Sequence, residues 1–447
     1  MRAIALIDGE HYPPVVRAAL ATLAAEYDLA AAVFVGGTEK VDTGSVAADV
    51  YGVPVLSADD PADALRAAIV KYAPDVAIDL SDEPVVTAAD RFRLASVALG
   101  HDVTYRGADF TFTPPRAVVD TNTPTLAVIG TGKRVGKTAV SAAIARLLDT
   151  TGTNVVVLAM GRGGPAEPEL IRGDEVALTT ADLLALARTG VHAASDSYED
   201  AVMSRVKTVG CRRCGGGLAG ETFVSNVPDG AQLADGLGCD LIMLEGSGSA
   251  IPPVVADAAV VVVGAGRGVT YVRDHFGPYR IGRAELVIVT GAEEPLSSSA
   301  DRSEMLSAIR TQRQDVPVVF TTFRPRPLAD VTGSRVFFAT TAPEPLLPVL
   351  ARHLEAEYGC TVVGASAHLS DRAKLRADMA AATGSYDVLL TELKAAAIDV
   401  VAAVGEEAGV PTVLCDNVPV AVDGSDLDEA VMRVARIAMT RGQARSG

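Results

Sequence analysis

"AVIGTGKRVGKTAVSAAIARLL", residues 127–148, decides how this chain folds. A short apolar run ends in glycine, and Gly-Lys-Thr then opens a segment with helical spacing. In that segment Val140, Ile144, Leu147 and Leu148 follow the i, i+4, i+7, i+8 pattern of one buried face, and Gly152 supplies a stop. A strand, a glycine-rich loop and a helix in this order aim free N–H groups and a partial positive charge at a phosphate. Gly130, Thr131, Gly132, Lys133, Arg134, Val135, Gly136, Lys137 and Thr138 are therefore the expected nucleotide cradle. Lys137 is expected to reach the β- and γ-phosphates of ATP, and the Thr138 hydroxyl to reach Mg²⁺. The spacing is off by one: the position six before Lys137 is Thr131, and the glycine stands one place earlier, at Gly130.

Composition fits an α/β protein. At roughly 100–200 residues per domain, 447 residues predict two to four domains. Hydrophobic residues are 49%, charged residues 21%, and Trp is absent. Such an Ala/Val-rich chain suits parallel strands buried on both faces. A formal net charge of −17 argues against sequence-independent nucleic-acid binding, which needs a basic surface. No apolar run reaches the roughly 18 residues of a membrane span, so no membrane partner is expected. The opening "MRAIALIDGEHYPP" reads as a first strand and turn, its apolar run being too short for a signal peptide. Five Cys in a chain this long do not make a disulfide framework, and a cytoplasmic protein is expected.

The punctuation divides the chain in three. Residues 1–120 read as a Rossmann-like substrate domain, with strands at "AIALID" (3–8), "LAAAVFVGG" (29–37), "VPVL" (53–56) and "DVAIDLSD" (75–82). "PADALRAAIVKYA" (61–73) is a helix with Pro61 in its first turn behind an Asp cap. The proline-rich "TFTPPRAVVDTNTPT" (111–125) reads as a linker. Residues 121–315 form the P-loop core with a mostly parallel sheet, and 316–447 an α/β lobe packed on that core.

Other residues gather at expected strand ends. Glu245, in "LIMLEGSGS", stands where a metal-ligating carboxylate belongs beside a nucleotide crevice, or is a surface residue before a turn. Lys133 faces either transferred phosphate or solvent. "VGCRRCGGGLAGETF" (209–223) contains Cys211-x-x-Cys214; zinc needs four ligands, and no second Cys pair is present. Its Arg212 and Arg213, flanked by glycines, read better as a mobile basic loop whose guanidinium groups hold phosphates. Arg162 in "AMGRGGPAEPEL" and Arg267 and Arg273 in "GAGRGVTYVRD" repeat that logic, and together the loops imply a strongly anionic ligand besides ATP. In the first domain Asp8, Glu10 and His11 in "IDGEHYPPVV", "VGGTEK" (35–40) and "LSDEP" (80–84) lie at strand ends, with His11 either a phosphate partner or a capping residue. Glu392 and Lys394 in "TELKAAAIDV" either line a crevice or form a structural ion pair.

The loop and the "LEGSGS" element are similar to those of dethiobiotin synthetase, a P-loop branch with variant spacing. "LIDGEHYPPV", "GTGKRVGKTAV", "GCRRCGGG", "LEGSGS" and "TELKAAAIDV" taken together resemble the cyclic 2,3-diphosphoglycerate synthetase family over nearly the whole chain. That resemblance implies ATP-driven closure of 2,3-bisphosphoglycerate into a cyclic pyrophosphate, with ADP and phosphate released. It implies ATP and Mg²⁺ as cofactors, K⁺ as a further candidate, and a homodimer. Lys133, Lys137, Arg212, Arg213 and Glu245 are then the expected catalytic residues, with Thr138 and Glu245 on the metal. Asp8, Glu10, His11, Arg162, Arg212, Arg213 and Arg267 are the expected substrate contacts, and loop 209–220 is expected to close over the site. Two other readings compete: a P-loop kinase that stops at phosphoryl transfer, and a nucleotide-switch or metallochaperone protein using Cys211 and Cys214.

Overall fold

The computed structural model describes residues 1–37, 39–40 and 48–446. Thr38, within the "VGGTEK" strand end, lies outside them. Two sheets organise the chain. In the first, Val55–Leu56, Asp28–Phe34, Arg2–Ile7, Val76–Asp79 and Thr104–Arg106 lie side by side in that order, all parallel. Residues Ala3 to Ile7 are all buried, as in a strand covered by helices on both faces. The helix Pro61–Tyr72 is capped by Asp60, whose side chain accepts from the Ala62 N–H at 2.9 Å. The linker expected over 111–125 begins later. Thr111–Phe112 is a strand antiparallel to Thr104–Arg106, because a β-branched and an aromatic residue precede the first proline at 114.

The second sheet has thirteen strands. Its central run, in spatial order, is Lys207–Gly216, Val155–Gly161, Leu241–Glu245, Thr125–Gly130, Ala258–Gly264, Leu286–Thr290 and Val318–Pro327, all parallel. The P-loop strand Thr125–Gly130 is therefore central, with every residue buried. The strand Val318–Pro327 changes partner part-way. Val318–Phe320 runs parallel beside Val287–Val289, while Thr321–Pro327 pairs antiparallel with Cys415–Ala421. Beyond it the C-terminal strands Val388–Glu392, Arg335–Ala339 and Thr361–Ser366 continue the same sheet. The last helix, Leu427–Ser446, returns to the core and buries Val431, Val434, Ala435 and Ala438 against the P-loop strand and helix.

One expectation is overturned here. Residues 209–216 are strand and not loop. Lys207–Arg212 pairs with Val156–Gly161, Lys207–Gly210 with Glu169–Arg172, and Arg213–Gly216 with Thr222–Ser225. Gly210 and Gly216 are ladder positions, Gly215 takes φ +70, and the chain turns beyond Gly216, where Gly217 N–H donates to the Glu221 carbonyl at 2.7 Å.

Candidate functional site

The displaced glycine has a steric cause. A Cβ on Gly130 would lie 2.8 Å from Lys137 Cδ, so the bare backbone lets the lysine stem cross the loop. Gly136 has φ +82 and opens the helix Lys137–Thr150 as its N-cap, and a Cβ there would meet the Phe323 ring at 2.4 Å. Lys137 is buried, and its ammonium donates to the Gly132 carbonyl at 3.1 Å. Burial pushes its pKa down to about 8, against the opposing pull of Glu245 and Asp196.

Glu245 ends its strand fully inside the protein, and its Oε1 meets no hydrogen-bond donor. Burial pushes its pKa up to about 7; Asp200, Lys137 and a hydrogen bond from Thr138 pull the other way. The sequence reading missed what stands next to it. The helix Asp196–Ser204 is buried from Ser197 to Ser204 and packs against the P-loop helix, delivering Asp200 beside Glu245. Both Asp200 carboxylate oxygens are buried without a donor, and burial followed by the charge of Glu245 raises its pKa well above the ordinary range. A signal was present in "SDSYEDA": Asp196, Glu199 and Asp200 stand at i, i+3 and i+4, one helix face. Glu199 on that helix pairs with Lys394 of the C-terminal region at 3.0 Å. Burial alone would lower the Lys394 pKa, but the facing Glu199 and Glu392 carboxylates outweigh it and raise it. Glu392 and Lys394 are not bonded to each other: Glu392 accepts from the Thr341 N–H at 3.1 Å and from the Thr340 and Thr341 hydroxyls.

Cations crowd the same crevice. The charge of Arg162 is the largest influence lowering the Lys133 pKa, and it also acts on Lys137 and Arg213. A Cβ on Gly132 would be 3.9 Å from the Arg267 guanidinium, which places Arg267 at the loop tip. Arg213 donates to the Ser247 carbonyl at 2.8 Å, tying its strand to the loop after Glu245, while its buried Nε has no partner. Arg212 does not join it. Successive strand residues face opposite ways, so Arg212 projects from the other face and is exposed. The same alternation separates Cys211, which is buried and whose Sγ lies 2.2 Å from where a Gly230 Cβ would be, from exposed Cys214. Two such cysteines cannot close on one ion. Arg273 pairs with Glu304 at 3.0 Å.

The expected residues of the first domain form a separate cluster. Asp8 is fully buried and accepts from the Glu10 and His11 N–H groups, from His11 Nδ1 at 2.8 Å and from the Asp82 N–H at 2.8 Å. Its oxygens are used up in holding the turn. His11 Nε2 lies 3.3 Å from Asp82, and the hydrogen bond to Asp8 raises the His11 pKa despite partial burial. Glu10 is half-buried, with its pKa raised first by Glu39. Among the described residues no hydrogen bond or ion pair links this cluster to Lys137 or Glu245.

A parallel sheet with a Lys-Thr loop at its central strand, beside a buried glutamate, defines a P-loop nucleotide-binding protein. Residues 2–113 match the cyclic 2,3-diphosphoglycerate synthetase N-terminal domain, 125–322 its P-loop domain and 327–418 its C-terminal domain. A cyclic 2,3-diphosphoglycerate synthetase of Rubrobacter xylanophilus is 49% identical, over 100% of this chain and 99% of its own. One of Methanothermobacter thermautotrophicus is 47% identical, over 98% and 96% respectively. Among solved structures, Aquifex aeolicus LpxK in complex with ATP is similar at 13% identity and a TM-score of 0.42, over 71% of this chain and 90% of that one. The chain belongs to the cyclic 2,3-diphosphoglycerate synthetase family.

Proposed function

We propose that this protein closes 2,3-bisphosphoglycerate into cyclic 2,3-diphosphoglycerate at the expense of ATP. One observation carries the reading: Arg162 lies close enough to Lys133, Lys137 and Arg213 to act on the charge of each, beside the buried carboxylate of Glu245, whose Oε1 meets no donor. A nucleotide alone does not call for so many cations, and a bisphosphate beside it does. The two substrate phosphates repel each other and do not condense unaided. The γ-phosphoryl group passes from ATP to one of them, making a phosphoanhydride and ADP. An oxygen of the other phosphate then attacks the phosphorus of the substrate's own phosphate, forming the ring P–O–P bond and expelling inorganic phosphate. Such chemistry needs positioning and charge neutralisation, not a covalent nucleophile.

Lys137 leaves the Gly132 carbonyl for the β- and γ-phosphates, whose charge keeps its ammonium protonated. Arg213, held by Ser247, and Arg162 face the bisphosphate, while Lys133 and Arg267 serve at the loop tip. Arg212 belongs to the outer rim and is expected to contribute less. Thr138, Glu245 and Asp200 offer oxygen donors, the kind Mg²⁺ takes. Among the described residues no group of three or more His, Cys, Asp or Glu is arranged to hold a metal. Mg²⁺ does not require one, because it keeps waters and shares phosphate oxygens. Bound there, it would neutralise charge on the transferring phosphoryl group. A role in substrate delivery for His11, with Asp8 as its anchor, belongs to the same reading.

A cytoplasmic setting is supported by five free cysteines. No helix among the described residues is long and apolar enough to cross a membrane. A homodimer is supported by the exposed apolar side chains Leu218, Phe223 and Val224 on the hairpin that ends the sheet. The test is ³¹P NMR of the reaction with ATP and 2,3-bisphosphoglycerate, repeated with Na⁺ in place of K⁺. A cyclic pyrophosphate with equimolar free phosphate is expected; ADP with a linear phosphorylated acceptor would mean a kinase and overturn the proposal.

A further inference from the structure

The "TELKAAAIDV" segment plays no part in the reaction as derived, yet it reaches the site. It belongs to the C-terminal region, where Glu392 is bound by Thr340 and Thr341 and so fixes the end of its strand. Two residues on, Lys394 leaves that region and places its ammonium 3.0 Å from Glu199 Oε1. Leu393 and Ile398 on either side are buried in one apolar cluster with Tyr198, Ala201 and Val202 of the helix Asp196–Ser204. Glu199 has almost no exposed surface, and the next residue, Asp200, is the one beside Glu245. A carboxylate taken out of water is costly unless paired. Without Lys394 the helix would carry Glu199 unpaired, within one residue of the oxygens proposed to face the cation.

We propose that Lys394 is a positioning residue. By pairing with Glu199 it holds the helix Asp196–Ser204 in register against the P-loop helix, so that Asp200 stays beside Glu245 and the cation site keeps its shape. The C-terminal region then has a function in the nucleotide site. The inference rests on the proposed divalent-cation site beside Thr138, Glu245 and Asp200, not on Glu245 alone.

The experiment measures Mn²⁺ binding by EPR, with saturating ADP, in the full-length protein and four variants: Lys394→Met, Lys394→Arg, Glu199→Gln and Glu245→Gln. Removing a residue that orients metal ligands typically weakens metal affinity about 10–100-fold. Lys394→Met is expected to fall in that range while ADP binding without metal stays unchanged, and Lys394→Arg is expected to recover most of the loss. Unchanged Mn²⁺ affinity in Lys394→Met overturns the proposal. So does equal loss in Lys394→Met and Lys394→Arg, since the charge would then not matter. If Lys394→Met cannot be purified folded, Glu199→Gln breaks the same pair with an isosteric side chain, and unchanged affinity there is equally decisive. Glu245→Gln separates the two readings. If it binds Mn²⁺ like the wild type while Lys394→Met does not, the role given to Glu245 fails and the positioning role of Lys394 stands.

Discussion

Lys137 shows how one residue can be read in advance and still hold a surprise. Its identity follows from Gly-Lys-Thr after an apolar strand, because every element of that motif is local in sequence. Its resting contact with the Gly132 carbonyl, and the need for Gly130 beneath its stem, appear only in three dimensions. Lys137→Ala is expected to lower turnover by roughly 10²–10³-fold, as when a single donor to a developing charge is removed. Circular dichroism and the melting curve should change little, because the loop backbone is set by its glycines. A variant with near wild-type rate would remove the phosphate assignment. His11 gives a second test. Its pKa in the folded protein is raised from 6.5 by Asp8, so the stability it contributes is fully present below about 6.5 and is lost as pH rises through the folded value. The urea midpoint of His11→Gln should therefore trail the wild type more at about pH 5.5 than at about pH 8.5. A gap that does not change with pH would mean that His11 is a neutral cap.

At the scale of elements, the sequence was legible where periodicity was undisturbed. The helix Pro61–Tyr72 and the P-loop helix declare themselves by caps and apolar spacing. The strand Lys207–Gly216 did not, because its run of glycines is a poor strand former and three neighbouring strands supply the order. The helix Asp196–Ser204 failed for the opposite reason: its acids look like a solvated face, and tertiary packing buries Glu199 and Asp200. Strand geometry in the first case makes a prediction the loop reading does not. Cys214 is exposed, whereas Cys211 is fully buried, with burial pushing its thiol up to about 12. Iodoacetamide under native conditions, followed by peptide mapping, should label Cys214 and spare Cys211 until the protein is unfolded. Equal labelling of both would mean that the segment is a mobile loop after all.

At the scale of the molecule, the proposed function has the first domain bring a bisphosphate to a nucleotide held by the second, so under that proposal the joint between them matters. No motif marks that joint, since its aromatic residues are scattered at positions 92, 112 and 276. In the fold they meet. Phe276 is fully buried and stacks edge-on to Phe92 at 5.4 Å and to Phe112 at 5.1 Å between ring centres. The helix Ala88–Gly100 also packs on the short core helix Gly277–Gly282. Replacing a buried Phe by Ala typically costs about 3–5 kcal/mol, and here the loss falls on the junction. Phe276→Ala is therefore expected to split thermal unfolding into two calorimetric transitions while the P-loop keeps its affinity for ADP. ADP release driven by 2,3-bisphosphoglycerate should fall much further than ADP binding, because the bisphosphate would no longer be held at a fixed distance from Lys137. Retained substrate-driven turnover alongside separated transitions would show that the P-loop domain binds the bisphosphate by itself, and the first domain would need another role.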